Sequence, residues 1–226
     1  MKYFTNRDHA ARELRTLLER LDLSQPVVLG IPRGGIPIAV TVANTLPGAE
    51  VGVIVARKLG APGNPELAIG AVTANGAYFL DEDLARAIGA SDTYIEREMR
   101  LQQAEARRRE VQFDGKRRPS LQGRNVIIVD DGVATGATAI AAIRAAKAAG
   151  ARYVCFAVPV GPEQTIRELN LEADDIICLH QPEDFWAVGQ FYRDFHAVED
   201  SEARRLLESA APSTALQSET VDHTDS

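Results

Sequence analysis

Val126-Ile127-Ile128-Val129-Asp130-Asp131-Gly132-Val133-Ala134-Thr135-Gly136-Ala137-Thr138 passes from four β-branched residues through two acids into a loop of small and hydroxyl side chains. An apolar run without alternation, bounded by turn residues, reads as a strand buried on both faces, as in a parallel sheet. The Ala-rich stretch that follows, to about Ala149 with Gly150 as the residue just past its end, reads as a helix. Strand, loop and helix in that order deliver Asp130 and Asp131 to the carboxyl end of the strand, where open α/β sheets bind ligands. Two adjacent acids there are not core material. A capped turn, with Asp131 and Thr135 satisfying helix N–H groups, accounts for one of the acids and leaves the other unexplained.

The flanking sequence repeats the alternation. Val27 to Ile31 and Val51 to Ala56 read as strands with a helix between them. Tyr153 to Pro159 and Ile176 to Leu179 supply two more, around a helix near Glu163 to Leu169. This predicts an α/β fold with a doubly wound parallel sheet. Ala10, Ala11, Leu14, Leu17, Leu18 and Leu21 predict an amphipathic opening helix capped by Asn6 or Asp8. Asn75-Gly76, between Leu67–Thr73 and Tyr78–Leu80, predicts a small antiparallel hairpin. A charged helix is expected over about Ser91 to Val111, ahead of a loop with Gly115, Pro119 and Gly123. At 226 residues the expectation is one core domain over 1–210, followed by a disordered tail over 211–226.

Composition narrows the function classes. A formal charge of -7 disfavours general nucleic-acid affinity. Eight basic and four acidic side chains between Arg97 and Arg118 form a local exception. Glu105 and Arg109 stand four apart there and no aromatics interleave for base stacking, so a solvated face or a subunit contact is expected. The longest apolar runs are too short to span a bilayer, and charges fill the first twenty residues, which predicts a cytoplasmic protein. Cys155 and Cys178 sit inside apolar runs and read as reduced, packed thiols. Neither a G-x-S-x-G element nor a metal-spaced His pair supports a hydrolase or a metalloenzyme.

The loop after Asp131 offers backbone N–H groups, the hydroxyls of Thr135 and Thr138, and glycines at 132 and 136. At a helix N-terminus this suits a phosphate monoester. Carboxylates a few ångströms away suit cis hydroxyls, which together describes a ribose 5-phosphate. The thirteen residues resemble the phosphoribosyl-diphosphate motif of the type I phosphoribosyltransferases. Dinucleotide and P-loop fingerprints are both missing.

The resemblance implies further parts. Gly30-Ile31-Pro32-Arg33-Gly34-Gly35 is similar to the family's pyrophosphate loop, which often contains a cis peptide. Arg57-Lys58, followed by residues 59–66, resembles the mobile catalytic loop that closes over substrate. Phe185 to Phe195 looks like the hood segment of 6-oxopurine enzymes, within a hood of about 180–207 that also draws on the N-terminal helix. Trp186 would there stack on the acceptor. The chain departs from the pattern where those enzymes place a lysine, since Val160-Gly161-Pro162 follows the strand. It departs again at Ala134, where many members carry an acid.

Taken together, the resemblance is to bacterial phosphoribosyltransferase-like proteins of unassigned acceptor. It implies transfer of a 5-phosphoribosyl group from phosphoribosyl diphosphate to a nitrogen acceptor, nucleobases among the candidates, with release of pyrophosphate. The donor site would comprise Arg33, Gly34, Gly35, Arg57, Lys58, Asp130, Asp131, Val133, Ala134, Thr135, Gly136, Ala137 and Thr138. Mg²⁺ is the implied cofactor, held by Asp130 and Asp131 through water. The alternative is a sensor that binds the donor without turnover. Homodimerisation is left open.

Overall fold

A computed structural model describes residues 3–114 and 119–210. The expected tail over 211–226, Gly115, and the end of the basic run at 115–118 lie outside the described residues.

The central sheet is parallel throughout. Its strands are β1 (Val27–Gly30), β2 (Glu50–Val53), β6 (Asn125–Val129), β7 (Tyr153–Val160) and β8 (Asp175–His180), in the order β2-β1-β6-β7-β8. Every residue of β6 is buried, because both faces carry helices. Val126 and Ile128 pack with Ile140 and Ile143 of α5 (Ala137–Ala148) on one face. Ile127 and Val129 pack on the other with Leu14 and Leu18 of α1 (Arg7–Leu18) and Ile38 of α2 (Gly35–Ala43). Cys155 faces the second of these layers, and burial pushes its thiol up to about 12. Both cysteines are unpaired, as expected of small hydrophobes.

Local chemistry explains the ends of these elements. Asn6 caps α1 by accepting from the His9 N–H at 2.9 Å. Gly150, at φ +82°, follows α5 in the left-handed conformation that an alanine would resist.

A second, antiparallel sheet contains β3 (Ala56–Ala61), β4 (Asn64–Thr73) and β5 (Tyr78–Leu80) in sequence order. The Asn75-Gly76 turn joins the last two: Gly76 has φ +94°, and the Thr73 N–H donates to the Ala77 carbonyl at 2.9 Å. The stretch 59–66 is therefore largely paired strand, where the sequence suggested a free loop. This sheet packs over α5, with Ala71 against Ala137 and Ala141. Covered on both sides, α5 needs small residues, which explains its alanines.

A short α3 (Glu82–Ala87) leads into α4 (Asp92–Asp114), whose Glu105 pairs with Arg108 at 2.8 Å and Arg109 at 3.1 Å. The solvated ion pair read from the spacing is thus present. Beyond α6 (Glu163–Leu169), residues 185–195 fold against the N-terminus around Phe4, Phe191 and Tyr192, forming a cap near β7. The last described helix, α7 (Asp200–Ser209), leaves that cap and packs through Ala203 beside Ile36, Val40 and Ala106.

Candidate functional site

In a doubly wound sheet the ligand crevice opens where the chain order reverses, here between β1 and β6. The two loops expected to share a ligand leave these strands side by side. The Ile31 N–H donates to the Val129 carbonyl at 3.0 Å. A Cβ on Gly35 would stand 2.4 Å from that same carbonyl oxygen, and one on Gly34 would stand 2.0 Å from Oδ2 of Asp131. Glycine is required at both positions by close approach, since Gly34 has ordinary helical dihedrals of φ -61° and ψ -34°. The peptide between Pro32 and Arg33 is cis.

Asp130 and Asp131 are half-buried. Oδ1 of Asp130 accepts from the Asp131 N–H at 2.8 Å. Burial, then the charge of Asp131, raises the Asp130 carboxyl well above the usual range. Burial also raises Asp131, against the pull of Arg7. Arg7 donates to Oδ2 of Asp131 from Nε at 2.9 Å, and its Nη2 lies in ion-pair contact with the same oxygen at 2.8 Å. Tyr192 fixes the same residue from its other side, its hydroxyl donating to the Asp131 carbonyl at 2.7 Å.

After the acids the chain turns sharply into α5. The Val133 N–H donates to the Val160 carbonyl at 2.9 Å, and the Thr165 hydroxyl donates to the Ala134 carbonyl at 2.7 Å. Gly136, at φ +79°, is the N-cap residue and offers no side chain to α5. Neither Asp131 nor Thr135 caps the helix, so the capped-turn alternative fails and, among the described residues, the first turn of α5 has no side-chain cap beside the exposed Thr135. Val133 and Ala137 are buried, while Thr138 is half-buried on the first turn. A helix N-terminus without a side-chain cap, next to paired carboxylates, can hold an anion and hydroxyls together.

The cations are distributed less uniformly. Arg33 lies at the loop after β1 and meets Asp200 Oδ1 at 3.5 Å and Glu199 Oε2 at 3.8 Å. Arg57 and Lys58 fall inside β3, where consecutive side chains point to opposite faces. Lys58 pairs in register with Ala71, on the α5 side. Arg57 pairs with Val72 and donates to Gln102 of α4 at 3.2 Å. The structure thus separates two residues that the sequence grouped. Trp186 is 89% exposed and joins no ring contact among the described residues. The cap's stacked rings are Phe185 with Phe191, at 5.6 Å, and Tyr192 with Phe195, at 4.9 Å.

Arg7, Tyr192 and Thr165 were not singled out in the sequence. Each acts across a long chain separation, and no local pattern marks it. A cavity of about 700 Å³ at the opposite, amino end of β1, lined by Leu18, Ser24, Thr45 and Pro47 among others, includes none of the expected site residues. Among the described residues no cluster of three or more His, Cys, Asp or Glu could cage a metal. The acid pair fits Mg²⁺ in a different way, since that ion commonly takes one or two carboxylates and completes its shell with water and substrate phosphate. No described helix is long and apolar enough to cross a membrane.

Two Mycobacterium tuberculosis proteins, provisionally named as phosphoribosyl transferases, are each 43% identical to this chain over 211 residues. The alignments take in 93% of this chain and 47% of theirs, so the chain spans about half the length of the curated relatives it matches. A crystal structure of a Thermus thermophilus protein shares 41% identity at a TM-score of 0.79, covering 92% of this chain and 99% of that one. A model of the phosphoribosyl transferase domain matches residues 4–196, a span that includes the acid pair, the loop around Arg33, the β3–β5 sheet and the aromatic cap, and the chain belongs to that family.

Proposed function

We propose that the chain transfers the 5-phosphoribosyl group of phosphoribosyl diphosphate to a nitrogen nucleophile and releases pyrophosphate. The observation that carries this reading is the juxtaposition of two half-buried carboxylates with the uncapped N-terminus of α5 at the point where the sheet order reverses. In this reading Asp130 and Asp131 accept hydrogen bonds from the ribose hydroxyls and orient the ring. The N–H groups from Thr135 to Thr138, with the two threonine hydroxyls, hold the 5'-phosphate. Gly34 and Gly35 let the neighbouring loop approach closely, and Arg33 with Lys58 neutralises the diphosphate. Arg57, turned toward α4, supports the strand and not the ligand.

Mg²⁺, when bound beside the acid pair, would neutralise charge on the diphosphate and improve it as a leaving group. The C–O bond at the anomeric carbon breaks with its electron pair on pyrophosphate. The acceptor nitrogen supplies the pair for the new C–N bond and gives up its proton to solvent. The oxocarbenium-like state between them demands shielding from water, a role this reading assigns to the β3–β4 hairpin and the aromatic cap. Positioning and fixed charge, with no covalent intermediate, then account for the rate. The exposed ring of Trp186 is available to cover the acceptor.

Pyrophosphate release from donor and Mg²⁺, measured across purine, pyrimidine and other nitrogen acceptors, tests the proposal. Release with one acceptor, abolished by Asp130→Ala with Asp131→Ala, supports it and names the acceptor. Donor binding without release for any acceptor replaces it with the sensor reading.

A further inference from the structure

Arg7 leaves the first turn of α1 and crosses to the acid pair, a contact spanning 124 positions of sequence. Its side chain is 9% exposed and that of Asp131 13%. Three separate groups seat the guanidinium. Nη1 donates to the His196 carbonyl at 2.8 Å, the central carbon lies 4.0 Å from the centre of the Phe195 ring, and Nε with Nη2 engages the carboxylate. The seat is itself tied down: Phe4 N–H to Phe191 O at 2.8 Å, Arg193 N–H to Phe4 O and Asp194 N–H to Thr5 O at 2.9 Å.

The geometry at the carboxylate is informative. A guanidinium and a carboxylate usually pair as two forks, one nitrogen to each oxygen. Here both nitrogens converge on Oδ2, and among the described residues Oδ1 receives no hydrogen bond. Burying an arginine on a single carboxylate adds little net stability, because desolvation offsets the attraction. A pair built with three supports and one oxygen left over is better explained by what that oxygen does.

We propose that Arg7 is a positioning residue: held by Phe195 and His196, it fixes Asp131 through Oδ2 and presents Oδ1 to a ribose hydroxyl. This rests on the reading of Asp131 as a sugar-orienting group. It assigns the N-terminal helix and the aromatic cap a direct part in ordering the donor site, with Arg7 itself touching no substrate.

Calorimetric titration with ribose 5-phosphate and, separately, inorganic pyrophosphate tests the assignment on the wild type, Arg7→Met, Arg7→Lys, Asp131→Asn and the Arg7→Met/Asp131→Asn double variant. Thermal melting confirms that each is folded. Arg7→Met should weaken ribose 5-phosphate by roughly 10- to 100-fold, the size expected when a charge-assisted contact is lost, and leave pyrophosphate within about twofold. Arg7→Lys should recover part of the loss, and serves alone should Arg7→Met not fold. The double variant should bind no more weakly than Asp131→Asn, because Arg7 acts only through the Asp131 carboxylate. Unchanged or tightened ribose 5-phosphate binding, an equal loss of pyrophosphate binding, or multiplying losses in the double variant would overturn the assignment. A wild type that binds no ribose 5-phosphate would instead remove the phosphoribosyl reading beneath it.

Discussion

Replacing Gly34 with alanine separates the donor site from the fold that carries it. The backbone at Gly34 has φ -61° and ψ -34°, so alanine brings no dihedral strain. The added methyl would stand 2.0 Å from Oδ2 and 2.4 Å from Cγ of Asp131. To restore an acceptable separation the carboxylate must retreat by about 1 Å, breaking its alignment with Arg7. Such a displacement in a positioned group is typically worth ~100-fold in binding or rate. Overpacking should cost about 1–3 kcal/mol, and each kcal/mol lowers the melting temperature of a chain of this size by about 2–4 °C. Titration with ribose 5-phosphate and a thermal melt, run side by side, read the two effects. Asp131→Ala added to Gly34→Ala removes the overlap but leaves the buried Arg7 guanidinium unpaired, so the double variant should melt where Asp131→Ala alone does, with binding still lost. Wild-type affinity in the Gly34→Ala protein would refute the idea that Asp131, held where it is, orients the sugar.

The neighbouring glycine behaves differently. A Cβ on Gly35 meets backbone, the Val129 carbonyl oxygen at 2.4 Å, so Gly35→Ala should push the start of α2 off the end of β6 and lower stability by about 3 kcal/mol in a denaturant melt. Asp130→Asn should stabilise the protein at neutral pH, by on the order of 1 kcal/mol, because it removes a carboxyl whose ionisation burial and Asp131 disfavour in the folded state. The raised carboxyl binds its proton more tightly in the folded state than in the unfolded one. Its favourable contribution is therefore complete below the ordinary value of 3.8 and lost as pH rises through the raised one, so the gain in Asp130→Asn should vanish in acid melts. Thr165→Val removes the hydroxyl that holds the Ala134 carbonyl at 2.7 Å. It should cost about 1 kcal/mol of stability and weaken inorganic phosphate more than pyrophosphate in titrations, since the loop it steadies is the one at the N-terminus of α5.

Features written in short windows were legible in the sequence. The β-branched run of β6, the Asn75-Gly76 turn, the Asn6 cap and Gly150 each act through neighbours a few positions away, and the structure has them where local rules put them. The strand and helix alternation was enough for the parallel sheet, because such connections have few alternatives. Less accessible were features fixed by register and by distant contacts. Arg57-Lys58 resembled the start of a mobile loop, yet pairing with β4 makes it part of a strand and sends the two side chains to opposite faces. An arginine in the first turn of an amphipathic helix looks like any solvated arginine, and only the fold brings Arg7 to Asp131. Likewise the aromatic segment read as a hood contributes Tyr192 and Phe195 to the seat of the acid pair, whereas its tryptophan stands in solvent.

Direct calorimetric titration of phosphoribosyl diphosphate with Mg²⁺ into the wild type, and into an Asp130→Asn/Asp131→Asn double variant shown to be folded by thermal melting, gives the most decisive test. Saturable one-to-one binding to the wild type, weakened by at least about 100-fold in the double variant, is the predicted result. Equal binding to both proteins, or none to either, would contradict the assignment of the donor site to the acid pair and the N-terminus of α5.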